Sequence, residues 1–150
     1  MTRSKFRQQV FVGKDVTNSL GAIPPQQNDG TAIAGIAIDR LGIASGKFVF
    51  ETAAPTGTPS AATALIKIQH SATTAAGDFV DFISLETALD VSAAALKEYL
   101  LDLSKAKRYI RAYVDLTYTG GTTPKNILAG EILFGDYDID PKSAETVYKG

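Results

Sequence analysis

A chain with one histidine and no cysteine has few routes to covalent chemistry. His70 is the only imidazole in 150 residues. It closes the run IKIQHS next to Ser71, so a Ser-His-Asp triad could be built only around it. The plainer reading is a strand-end histidine that is exposed or hydrogen-bonded. Most catalytic zinc centres take more than one histidine nitrogen, and thiolate sites need cysteine, so neither can be assembled. Asp136, Asp138 and Asp140 alternate with Tyr137 and Ile139 and could offer oxygens to Ca²⁺. On a strand that alternation puts all three on the solvent face, and the glycine and terminal glutamate of a calcium loop are missing. Gly35 and Gly42 match neither nucleotide-binding fingerprint. The expectation is a chain with no catalytic residue, no cofactor and no metal.

The remaining concentration of functional side chains is basic and aromatic. Lys105, Lys107, Arg108 and Arg111 interleave with Tyr109 and Tyr113. Tyr and Arg are enriched at protein-contact hot spots, so the cluster suits an acidic protein surface or nucleic acid. The other reading is a lysine-rich turn that blunts sheet-edge pairing. Nucleic acid is the weaker partner, because the net charge is -1 and one short cluster would release few counterions.

The element that must carry this cluster is unusually clear. Ile110, Ala112, Val114, Leu116 and Tyr118 point one way, and Tyr109, Arg111, Tyr113, Asp115 and Thr117 the other. That period of two predicts a strand with one buried and one polar, aromatic face. Residues 127–134 read as its return strand, and the Gly120-Gly121 turn between them predicts a hairpin. Further strands are expected at 5–12, 31–38, 47–52, 64–70 and 79–85. Residues 17–30 (TNSLGAIPPQQNDG) and 53–60 (AAPTGTPS) read as loops, and 71–77 as a small-residue turn. Residues 92–103 are ambiguous. Leu96, Tyr99, Leu100 and Leu103 fall at helical spacing behind Ser92 as a cap, while 99–103 could equally be a strand entering a turn at 104–107.

Seven or eight short strands with turn signals between them predict one all-β domain, an antiparallel β-sandwich or jelly roll. The expected layout is a basic arm and loop over 1–30, a core over 31–135, and a tail over 136–150. The chain is long enough for a core of its own, and 45% hydrophobic against 21% charged residues is ordinary for a globular domain. No apolar run nears the roughly 20 residues of a membrane-spanning helix, and the N-terminus lacks an apolar signal core. Absence of cysteine suits folding in a reducing cell.

Four phrases carry a family resemblance: GIAIDRLG (35–42), IKIQHSATTAAGDFVDF (66–82), KRYIRAYVDLTYTGGT (107–122) and ILAGEILFG (127–135). In this order they resemble the small capsid decoration, or cement, proteins of tailed bacteriophages. The resemblance implies a jelly-roll protein without enzymatic activity. Such a protein would be made in the bacterial cytoplasm and end on the outside of the virion. Its partner would be the major capsid protein, whose capsomers it would bridge as a dimer or trimer. Expected contact residues are Arg3, Phe6 and Arg7 in the arm, Lys107, Arg108, Tyr109, Arg111 and Tyr113 on the strand face, and Tyr137 in the tail, with the loop over 17–30. Neither nucleic acid nor membrane is an expected partner. Alternatives are another virion part (a head-fibre base, neck or tail component) or a carbohydrate-binding β-sandwich using Tyr109, Tyr113 and Tyr118, though the chain has no Trp.

Overall fold

The structure is a computed structural model and describes residues 22–134 and 146–150. The described residues form ten strands: β1 Ile23–Asn28, β2 Ile33–Ala34, β3 Ile38–Asp39, β4 Ser45–Thr52, β5 Ala61–Ser71, β6 Val80–Asp90, β7 Ala95–Asp102, β8 Tyr109–Thr119, β9 Asn126–Phe134 and β10 Val147–Lys149. A 3-10 turn, Ala76–Asp78, precedes β6. One sheet has the order β1-β9-β4-β7-β10, and the other β2-β8-β5-β6 with β3 also on β8. From β1 to β9, every connection except β5–β6 and the break between β2 and β3 crosses from one sheet to the other. With β2 and β3 counted as one broken strand, this is the strand order of a jelly roll.

The core lies between the sheets and follows from the alternation of each strand. Phe48 and Phe50 of β4, Ile66 and Ile68 of β5, Leu101 of β7, Ile110 and Val114 of β8 and Ile132 of β9 are all fully buried. Each such side chain contributes about 1.5–3 kcal/mol through the water it no longer orders. Gly130 faces this core because a Cβ there would sit 2.8 Å from the Phe48 ring. The expected inward set of β8 is buried from Ile110 to Leu116, and Tyr118 packs partly buried against the core.

Three expectations need correction, and one open choice is decided. Residues 92–103 hold no helix, and the strand alternative is the one formed. β7 pairs with β4 over eight residues, burying Tyr99, Leu101 and Leu103 while Leu96 stays 63% exposed. Sheet pairing has overridden helix propensity here. Ser92 instead accepts the Ala62 N–H at its Oγ, and its own N–H donates to Asp90 Oδ1. Second, β8 and β9 do not form a hairpin: β8 pairs with β5, β2 and β3, and β9 with β1 and β4. Gly120 and Gly121, at φ 67° and 82°, turn the chain between sheets, and Thr122 N–H is held by Gly57 O at 2.8 Å. Third, the loop over 17–30 contains β1. Pro24 and Pro25 hide it in the sequence, and they fit because β1 is an edge strand, where missing N–H donors are tolerated. Fourth, the strand over 31–38 is broken at Gly35, whose N–H donates to Ala112 O while Ile36 N–H donates to Ala22 O. The expected strand over 5–12 lies outside the described residues.

Candidate partner-contact face

The outer face of the second sheet brings the expected Tyr and Arg side chains together. Tyr109, Arg111 and Tyr113 alternate along β8 with the buried residues, so they stand outward. The register sets Arg111 beside Gln69, Tyr113 beside Lys67 and Tyr109 beside both Ser71 and Asp39. Gln69 in turn lies beside Asp81 of β6. Three strands therefore contribute to one patch.

Its charges are already engaged. Arg111 Nε donates to Gln69 Oε1 at 2.8 Å, and Gln69 Nε2 donates to Asp81 Oδ1 at 2.9 Å. Lys67 Nζ pairs with Asp81 Oδ2 at 2.7 Å and lies 5.3 Å from the Tyr113 ring centre. The Arg111 guanidinium lies over the buried Phe79 ring at 4.3 Å. Arg108 bonds Asp39 through Nη2 at 2.8 Å and lies 5.2 Å from the Tyr109 ring centre. The hydrogen bond from Gln69, then that from Lys67, holds the Asp81 carboxyl below its ordinary range, and Arg108 does the same for Asp39. Of the cluster that looks basic in the sequence, Arg108 is paired with a carboxylate and Arg111 is anchored on Gln69 and Phe79, so the face is an ordered, aromatic platform. Its long side chains are held before any partner arrives, which lowers the ordering cost of a contact.

Arg108 and Lys107 are exposed at the start of this face. Arg3, Phe6, Arg7 and Tyr137 lie outside the described residues. Gln69, Phe79 and Asp81 were not among the expected contact residues. The period of two could have set Gln69 with Lys67, but only the side-chain contacts across to β6 show that both meet Asp81.

His70 sits at the opposite face of β5 from Ser71, so the two do not form a nucleophile and base pair. Its ring stacks on Phe82 with centres 4.6 Å apart, and its Nδ1 accepts the Lys107 N–H at 3.2 Å. The neutral ring therefore carries its proton on Nε2. Burial, then the charges of Lys107 and Arg40, push its pKa below the ordinary value. Among the described residues, no group of three or more His, Asp or Glu is placed to hold a metal ion.

A separate polar cleft of about 410 Å³ opens beside β1 and β2, lined by Gln26, Gln27, Asp29, Thr31 and Lys125 among others. No protein-family model matches the chain, and no curated protein matches it.

Proposed function

We propose that this chain is a structural protein of a tailed-bacteriophage virion that binds the outer surface of the capsid and stabilises the shell by bridging capsomers of the major capsid protein. The observation that carries the reading is the pre-ordered face of Tyr109, Arg111 and Tyr113 on a jelly-roll scaffold. Such a face offers large rigid rings and an anchored guanidinium, the groups that dominate protein interfaces. A chain of net charge -1 suits a protein surface better than a phosphate backbone. A ligand that binds only the assembled shell stabilises it by mass action, and many copies make modest single contacts sufficient. The test is binding to expanded shells by wild type and by the double variant Arg111→Ala/Tyr113→Ala. Saturable binding by the wild type and at least about tenfold weaker binding by the variant is expected. Equal binding by both would remove this face from the account.

The polar cleft favours a second reading, a carbohydrate-binding module. Amide and carboxylate groups there offer both donors and acceptors to hydroxyls. A glycan-binding screen with Gln27→Ala as control would support it if binding appeared in the wild type and was lost in the variant.

A further inference from the structure

The last described strand occupies a shaped slot. β10 runs parallel to β7, with Val147 opposite Leu100, Tyr148 opposite Leu101 and Lys149 opposite Asp102. It adds a fifth strand beyond the eight-stranded core at an edge that β7 would otherwise leave unpaired. The Tyr148 ring meets Tyr99 edge-on, with centres 5.4 Å apart and planes at 80°. Gly150 presses so closely on the Phe82 ring that an added Cβ would lie 2.1 Å from its Cε2 atom. The slot thus reads a sequence: an aromatic ring at one place, a glycine two residues on, and backbone groups for the β7 edge.

The element that fills it is small. Three residues on a sheet edge, with no residue fully buried, open far more easily than the fold around them. Eleven residues, 135–145, separate β9 from Thr146 in the sequence. A strand that far along the chain can enter its own slot or that of a neighbour. Both closures make the same contacts, so local concentration decides between them.

We infer that the β7 edge, floored by Tyr99 and Phe82, is a binding site for the Val147–Gly150 strand of a second copy of this chain, and that copies held close together are linked by exchange of this strand. The linkage belongs to the chain itself and does not depend on what surface the copies decorate.

The chain has no cysteine, which makes the test direct. Leu100→Cys and Val147→Cys are placed in separate, differently tagged chains, mixed at roughly millimolar concentration and oxidised. Paired positions on adjacent strands lie within disulfide reach. The expected result is a covalent heterodimer several-fold above that formed by Leu100→Cys with Thr74→Cys, an exposed control. Excess synthetic peptide of residues 146–150 should suppress it. Asp102→Cys with Lys149→Cys is a second pair on the more exposed face of the strands and should behave alike, covering the case in which Leu100→Cys does not fold. Heterodimer at the control level for both pairs would overturn the inference, as would heterodimer that the peptide leaves unchanged.

Discussion

Tyr99 joins the two sheets through one hydrogen bond, its hydroxyl donating to Glu86 Oε1 at 3.1 Å. Burial, and then the nearby Glu86 charge, push its pKa well above the ordinary 10.0. The folded state therefore keeps a proton that the unfolded chain loses near pH 10, so stability should fall as pH rises past about 10. Tyr99→Phe should flatten that decline and cost about 1 kcal/mol at neutral pH, read by denaturant unfolding at both pH values. His70 has the opposite window. Its folded pKa lies below the ordinary 6.5, so the folded state binds fewer protons, and stability present above pH 6.5 is lost as pH falls below it. As the only histidine it gives one set of imidazole signals, so an NMR titration reads it without assignment. A midpoint at or above 6.5 would contradict its burial beside Lys107 and Arg40. Gly35 makes a steric prediction. A Cβ there would lie 2.0 Å from Ala22 O, whereas one at Gly77 meets nothing within 4 Å. Gly35→Ala should cost about 2–4 kcal/mol and Gly77→Ala almost nothing, compared by thermal melts.

At the scale of elements, β7 is the most instructive strand. On a helix, Leu96 and Leu103 would share a face with Tyr99 and Leu100. As a strand, β7 exposes Leu96 and buries Leu101 completely. Leu96→Lys should therefore change stability by less than about 0.5 kcal/mol, while Leu101→Ala should cost about 2–5 kcal/mol. The reverse order of costs, Leu96→Lys large and Leu101→Ala small, would restore the helical reading. β8 was legible because it lies inside its sheet, and its alternation is uninterrupted from Tyr109 to Leu116. β7 was not, because Leu96 and Leu100 put apolar groups on its outer side. β1 was hidden by prolines that only an edge position explains. The false hairpin at Gly120-Gly121 shows what a turn signal leaves out: it marks a reversal of the chain and is silent about which sheet the next strand joins. The candidate face shared this limit. Tyr109, Arg111 and Tyr113 follow from spacing along one strand, but Gln69 and Asp81 reach them through register across β5 and β6, and Phe79, just before β6, through its ring contact with Arg111.

For the whole molecule, the jelly roll supplies two outer faces and a set of edges, and function must be argued from those surfaces rather than from the fold. The second sheet offers the ordered Tyr and Arg platform. The first sheet offers the edge on which β10 lies. The proposed function assigns the platform of the second sheet to the shell, and the inferred strand exchange assigns the edge of the first sheet to a neighbouring copy. The central claim is tested most directly by co-sedimenting the purified chain with expanded tailed-phage shells that lack it, taken from the same source, and then heating the particles. Saturable binding at a fixed copy number, together with a higher disruption temperature, is the predicted result. Shells that neither retain the chain nor gain heat resistance from it would contradict the account.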